Sequence, residues 1–191
     1  PPAPADRLSV VDQSMYHTEA VRRGAPNTFI IGDMPFGSYH GSVNDAVQNA
    51  VQYHKKCGVD CIKLEGGVRV AHIIRAIADS GMLVMGHVGL TPQSTGALGG
   101  FKAQGRSAES AMAIMDDAQA VYEAGAFAML VEAVPPEVAR MIAQELPIPI
   151  YGIGAGVDCD GQVMIVSDIL GIFQAFTPKF VKKYTKLGAE R

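Results

Sequence analysis

The sequence predicts an α/β fold built on a parallel sheet, and three observations point to it. Short apolar runs recur along the 191 residues. Each is followed by a glycine or proline turn and then by a helical pattern. Continuously apolar strands alternating with amphipathic helices indicate a parallel sheet covered on both sides. The third observation is that polar or titratable residues stand at the carboxyl end of one run after another. An open doubly wound sheet gathers such residues at one switch point, whereas a (β/α)8 barrel presents them around its mouth. Because the polar ends keep coming round, the barrel is the expected form.

The elements follow in order. Strands are read at 28–33 (TFIIGD), 60–65 (DCIKLE), 82–87 (MLVMGH), 127–132 (FAMLVE), 148–153 (IPIYGI) and, more weakly patterned, 162–167 (QVMIVS). A first helix is expected over 9–23. Over 42–57, Val43, Ala46, Val47, Ala50 and Val51 share one helical face, and over 68–80 Val70, Ile73, Ile74 and Ile77 do the same. Ser107 reads as the N-cap of a helix at 108–124 that ends at Gly125. Pro135 and Pro136 suit the first turn of a helix at 136–145, where proline costs least. A last helix is expected over 178–187. Six strands are two fewer than a closed barrel of this type needs.

Bulk composition narrows the functional classes. Apolar residues make up 48% and charged residues 18%, an ordinary globular balance. A net charge of −3 provides no electrostatic footprint for nucleic acid, and Arg22 and Arg23 suit a solvated helix end. No apolar run reaches the roughly 18 residues a membrane span needs. Cys57, Cys61 and Cys159 form no CxxC pair, and their odd number argues for a reducing compartment. "PPAPADR" carries no secretory h-region and reads as a loop, a processing product or the start of a fragment.

The strand ends supply the chemistry. Asp33, in "FIIGDMPFGSYH", is either a turn former or a hard oxygen ligand of the kind Mg2+ takes, one or two carboxylates with substrate oxygens. In "IKLEGG", Lys63 and Glu65 point the same way, because residues i and i+2 of a strand share a face. On a barrel interior an uncompensated charge is costly, so this lysine is placed to hold an anionic oxygen. Gly66 and Gly67 open the next helix, whose N-terminal amides favour anions. His87 is a backbone-bonded core histidine or a catalytic one, and no HxxxH or HxH pairing suggests zinc. Glu132 ends an apolar run, where desolvation raises a carboxylate pKa and suits it to act as a general base. "GGFKAQGRS" is a mobile lid over an anion or a plain connector. "GIGAG" lacks dinucleotide-fingerprint spacing and either lets backbone approach a ligand or makes a tight turn.

Taken together, "DMPFGSYH", "IKLEGG", "GHVGLTPQS", "GGFKAQGR", "LVEAVPPEVA" and "GIGAGVDCDGQVMIVSDILG" resemble, in order and spacing, the ketopantoate hydroxymethyltransferases. The upstream "MYHTEAVRRGAPN" fits as well, so the resemblance spans about residues 8 to 187. It implies a (β/α)8 TIM barrel of the phosphoenolpyruvate/pyruvate superfamily, assembled as a homo-oligomer, a decamer in the family. The implied reaction moves a hydroxymethyl group from 5,10-methylenetetrahydrofolate to 3-methyl-2-oxobutanoate, giving ketopantoate for pantothenate and coenzyme A. The resemblance further implies Asp33 as a Mg2+ ligand that also meets the keto acid, with Glu65 beside the metal. Lys63 and His87 would bind the keto acid, and Glu132 would be the general base. A cytoplasmic location, or a mitochondrial one in a eukaryote, goes with it.

The family carries two more βα units upstream, ending in a GDS-type segment with a second metal-binding Asp and a keto-acid-binding Ser. No GDS occurs here, and "PPAPADRLSV" stands first. The expectation is one barrel domain over 1–191 that lacks the first two βα units and the C-terminal helix. Two other readings stay open. One is a Mg2+-dependent C–C lyase or mutase of the same superfamily, which "HKKCGVD" superficially suggests. The other is a truncated, non-catalytic subunit.

Overall fold

The computed structural model describes residues 11–189. Six strands form one parallel sheet: β1 (Ile31–Asp33), β2 (Cys61–Lys63), β3 (Leu83–Gly89), β4 (Ala128–Glu132), β5 (Ile150–Ile153) and β6 (Gly161–Gln162). Their order in space is their order in the chain, and every pairing is parallel. A doubly wound sheet reverses direction at a switch point; this sheet does not, so it is a six-strand sector of a singly wound barrel.

Strand parity sorts the side chains. Ile62 and Leu64, Val84 and Val88, Met129 and Val131, and Ile150 point to one side and pack into the main core. There they meet Ala46 and Ala50 of α2 (Val43–Gln52) and Ile73, Ile74 and Ile77 of α3 (Ala71–Asp79). Ile114, Ala118 and Val121 of α5 (Ala108–Glu123) and Val138, Ala139 and Ile142 of α6 (Pro136–Glu145) complete it. Cys61, Met85, Ala128, Leu130 and Ile153 face the other way and form a separate, smaller cluster, the barrel interior. The core helices therefore cover one face of the sheet and the barrel interior takes the other, as the expected barrel requires. A strand buried on a barrel interior is as apolar as one buried under a second helical layer.

Local chemistry sets the element ends. Ser42 caps α2 by accepting from Asp45 N, and Ser107 with Ser110 forms a reciprocal capping box on α5. α2 widens into a π-turn at Tyr53–Cys57 and stops at Gly58, which takes a left-handed conformation with φ 64°. Pro136 opens α6 as expected. α1 (Val11–Gly24) matches the helix read at 9–23, whose first two residues lie outside the described range.

Two expected elements differ. The run 162–167 is not a strand beyond Gln162, since Val166–Ile169 turns into the short helix α7. The reason lies next door: β5 ends at Ile153 and Gly154 turns away with φ 61°, so Val163 N to the Gly152 carbonyl, 2.9 Å, is the last ladder bond. The helix expected at 178–187 does not form either. Its amides bond elsewhere, Tyr184 N to the Ile169 carbonyl at 2.8 Å and Leu187 N to the Leu170 carbonyl at 3.1 Å. Only a 3-10 turn at Leu187–Ala189 is helical there. A short helix that sequence periodicity missed, α4 (Thr95–Leu98), follows the 3-10 turn Pro92–Ser94 after β3.

Candidate active site

At the carboxyl ends of β1 to β4 the inward-facing side chains touch one another in a chain. Lys63 Nζ lies 2.9 Å from Asp33 Oδ1 and 3.4 Å from Glu65 Oε1. Its position is set by parity: Cys61, Lys63 and Glu65 share the inner face, while Ile62 and Leu64 anchor the strand in the core. His87 sits with Nδ1 3.5 Å from Glu65 Oε1 and 3.4 Å from Lys63 Nζ. Its Nε2 is 3.2 Å from Glu132 Oε2, but not in line for a hydrogen bond, so this buried nitrogen has no bonded partner among the described residues. Asp33, Lys63, Glu65, His87 and Glu132, the five residues singled out from the sequence, thus form one continuous cluster.

Burial grades this cluster from floor to mouth. Glu65 and His87 are buried, Glu132 is 17% exposed and Asp33 is 54% exposed at its side chain. Burial pulls His87 downward and Lys63 adds to that, but the carboxylates of Glu132 and Glu65 on either side outweigh both and hold it above its ordinary value. Burial also works against the Lys63 ammonium, yet Asp33 and Glu65 raise it overall. For Glu65 burial pushes upward, while His87, Lys63 and the Gln93 amide bring the carboxyl below its usual range. Each buried charge is stabilised by an opposite one, the condition under which ionised groups persist in an apolar interior.

Two residues that sequence reasoning passed over hold Glu65 in place. Gln93 N donates to Glu65 Oε2 at 2.9 Å, and Tyr39 Oη accepts from Glu65 N at 3.1 Å while donating to Gln93 Oε1 at 2.7 Å. Burial keeps the Tyr39 phenol far above its ordinary pKa, so it is a neutral donor. Both stand inside quoted motifs, "GSYH" and "TPQS", where only the titratable His87 drew attention. Asp33 is steadied through its carbonyl, which accepts from Ser14 Oγ at 3.2 Å and Tyr53 Oη at 3.3 Å.

The backbone around Glu132 is equally constrained. Its carbonyl accepts from Leu90 N at 2.8 Å, and a side chain on Gly89, which has φ 90°, would strike that same carbonyl. Ala133 has φ 48°, the one non-glycine residue with positive φ among the described residues. It is pinned by Ala133 N to the Ile153 carbonyl and by Gln104 N to the Ala133 carbonyl, each 2.9 Å. Such strain persists only where surroundings over-determine it, and it concentrates at functional positions. Gln104 also ties the 99–107 segment to this rim.

Two expectations about anion-binding backbone resolve internally. The amides after Gly66 and Gly67 meet a carboxylate from within the chain, Asp117 of α5, whose Oδ1 accepts from Val68 N at 2.8 Å. The "GIGAG" turn packs against protein: Phe180 lies over Gly154 and Pro136 over Gly156. It turns the chain from β5 toward β6.

Among the described residues no group of three or more His, Cys, Asp or Glu side chains gathers around one point. What the site offers a metal is two hard carboxylates, Asp33 and Glu65, either side of one ammonium, with Asp33 open to the mouth. That donor set fits Mg2+, which keeps waters and takes substrate oxygens instead of filling a protein cage. It does not fit zinc.

The structure resembles solved α/β barrels at low sequence identity. A Burkholderia cenocepacia protein assigned as a phosphonomutase matches with a TM-score of 0.58 at 18% identity, covering 78% of this chain and 64% of that one. A phosphonopyruvate hydrolase matches with a TM-score of 0.50 at 18% identity, covering 78% and 53%. These likenesses show the fold alone, an α/β barrel. Sequence comparison goes further. The 3-methyl-2-oxobutanoate hydroxymethyltransferase of Alkaliphilus metalliredigens is 63% identical over 93% of this chain and 62% of its own length. That of Clostridium botulinum is 53% identical over 97% and 68%, and that of Heliobacterium modesticaldum 49% identical over 93% and 64%. The chain thus spans somewhat under two thirds of the length of the first of these relatives. The family model for ketopantoate hydroxymethyltransferase matches residues 6–191. The chain belongs to the ketopantoate hydroxymethyltransferase family.

Proposed function

We propose that the protein to which this chain belongs transfers a hydroxymethyl group from 5,10-methylenetetrahydrofolate to 3-methyl-2-oxobutanoate, forming 2-dehydropantoate for pantothenate synthesis. The observation that carries this reading is the continuous cluster Asp33–Lys63–Glu65–His87–Glu132 at the strand ends of a family member. In this reading Asp33 and Glu65 hold Mg2+, which supplies Lewis acidity to the keto-acid oxygens when bound. Glu132 takes the proton from C3 of the keto acid. Lys63 holds negative charge that develops on the keto oxygen, in a site closed enough for that charge to count. His87, whose Nε2 lacks a bonded partner, orients the substrate and donates to its carboxylate or keto oxygen. The deprotonated C3 then attacks the methylene carbon of the donor, that carbon's bonds to the folate nitrogens break, water supplies the hydroxyl oxygen, and tetrahydrofolate leaves.

The partners in this reading are the keto acid, the folate and further copies of the chain, with neither nucleic acid nor membrane. Among the described residues no helix is long and apolar enough to cross a bilayer. The location proposed is the cytoplasm, and the 191 residues are read as one barrel domain. The test is tetrahydrofolate-dependent ketopantoate formation with and without Mg2+, run on a chain of the relatives' full length and on the 191 residues. Turnover that needs Mg2+ is expected of the former. A folded full-length protein that forms no ketopantoate refutes the reading. Activity confined to the full-length chain assigns these 191 residues the role of an inactive part.

A further inference from the structure

We propose that Gln93, working with Tyr39, is the positioning residue of the acidic pair: it fixes the Glu65 carboxylate and the Asp33 turn relative to one another. The proposal rests on the reading above in which those two carboxylates hold Mg2+, and it concerns how the chain keeps them in register.

Gln93 sits on the 3-10 turn that follows β3, and it is buried together with Tyr39, Met34 and Glu65. Its side-chain amide has no freedom of assignment. Oε1 faces the Tyr39 hydroxyl at 2.7 Å, and Nε2 faces the Met34 carbonyl at 2.9 Å, so donor meets acceptor at both ends. Its backbone amide donates to Glu65 Oε2 at 2.9 Å. Met34 directly follows Asp33 and itself donates from N to the Lys63 carbonyl at 3.2 Å. One residue thus joins the ends of β1, β2 and β3, the three strands that carry Asp33, Glu65 and His87.

The arrangement selects an oxygen. With Oε2 engaged by the Gln93 amide, Oε1 is left as the Glu65 oxygen that faces Lys63 and His87. Tyr39 completes the frame by accepting from Glu65 N at 3.1 Å, which sets the backbone from which that carboxylate springs. Mg2+ demands near-ideal octahedral geometry. Residues that orient its ligands are typically worth ten- to a hundredfold in metal affinity. Packing alone would be served by any apolar side chain of similar volume at position 93; the register of the two carboxylates would not.

Gln93→Met keeps the volume and removes both side-chain hydrogen bonds, while Tyr39→Phe removes only the hydroxyl. In the full chain, Mn2+ titration followed by electron paramagnetic resonance reads the acidic pair without turnover. Gln93→Met is expected to weaken Mn2+ binding by about ten- to a hundredfold, and Tyr39→Phe in the same direction. Folding of each variant is checked by circular dichroism. If Gln93→Met does not fold, Tyr39→Phe carries the test. Folded variants that bind Mn2+ as the wild type does overturn the proposal. A wild type that binds no Mn2+ refutes the metal reading instead. The link is then read from amide hydrogen exchange at Glu65 and Gln93. Protection lost in Tyr39→Phe upholds it, and protection unchanged overturns it.

Discussion

Glu132 and Ala133 show how much a single backbone position decides. Glu132 is presented at the rim because its own carbonyl is bonded to Leu90 N and the next residue is held in the left-handed region. Glu132→Gln keeps the shape and removes the base, so exchange of the keto-acid C3 proton is expected to fall ~10²-fold or more. Solvent-deuterium exchange followed by proton NMR measures this, and wild-type exchange would remove Glu132 as the base. Ala133→Gly relieves a conformation that costs an L-residue roughly 1 kcal/mol or more, partly offset by glycine's greater unfolded entropy. A rise in melting temperature of up to about 2–4 °C is expected by calorimetry. At this scale the titratable members of the site were legible, because Asp, Lys, Glu and His announce themselves at strand ends. Tyr39 and Gln93 were not, since neutral side chains give no signal until their partners, 26 to 59 residues away in sequence, are seen.

Between elements, contact depends on missing side chains and on long-range caps. Gly86 of β3 lies against Val121 of α5, and a methyl group there would overlap the valine side chain. Gly86→Ala is expected to destabilise by about 1–3 kcal/mol through overpacking, seen as a lower denaturant midpoint at unchanged slope. α1 is tied to the sheet by Arg22, which lies 2.6 Å from Asp60, while Asp60 Oδ2 also accepts from Ile30 N at 2.8 Å. The Ile30 amide, then Arg22, hold the Asp60 carboxyl below its ordinary value of 3.8. A depressed pKa contributes stability above the unfolded value that is lost as pH falls through the folded one. Asp60→Asn is therefore expected to cost about 1 kcal/mol or less at neutral pH, given the exposure of the pair. That difference should begin to shrink as pH falls through the ordinary value of 3.8 and vanish only below the depressed folded-state pKa, as chemical denaturation at several pH values would show. Helices with a full apolar stripe and a cap were legible from sequence. The segments 162–167 and 178–187 were misread because their hydrogen-bond partners were set by where β5 and α7 end, which no local pattern encodes.

For the whole molecule the consequence of six strands is an open interior. Among the described residues β6 does not pair with β1, and the inner face lines a cavity of about 620 Å³ walled by Phe29, Ile31, Met85, Phe127, Leu130 and Tyr151. Phe29 is about half exposed there. The 191-residue chain is expected to bind 1-anilinonaphthalene-8-sulfonate with enhanced, blue-shifted fluorescence, as exposed apolar surface does. A chain of the relatives' full length should bind less, and equal weak binding by both would show the interior to be covered otherwise. By itself the sequence determined the α/β class, the strand–helix alternation and the residues that end each strand. These depend on periodicity, caps and residue type, which are local. The barrel was already the expected form; only the tertiary structure decided that the five polar side chains at the strand ends touch. It alone showed that Asp117 takes the amide after Gly67 and that Tyr39 and Gln93 hold Glu65. Those outcomes depend on which distant segments become neighbours, and a buried strand is equally apolar whether a helix or a barrel interior covers it.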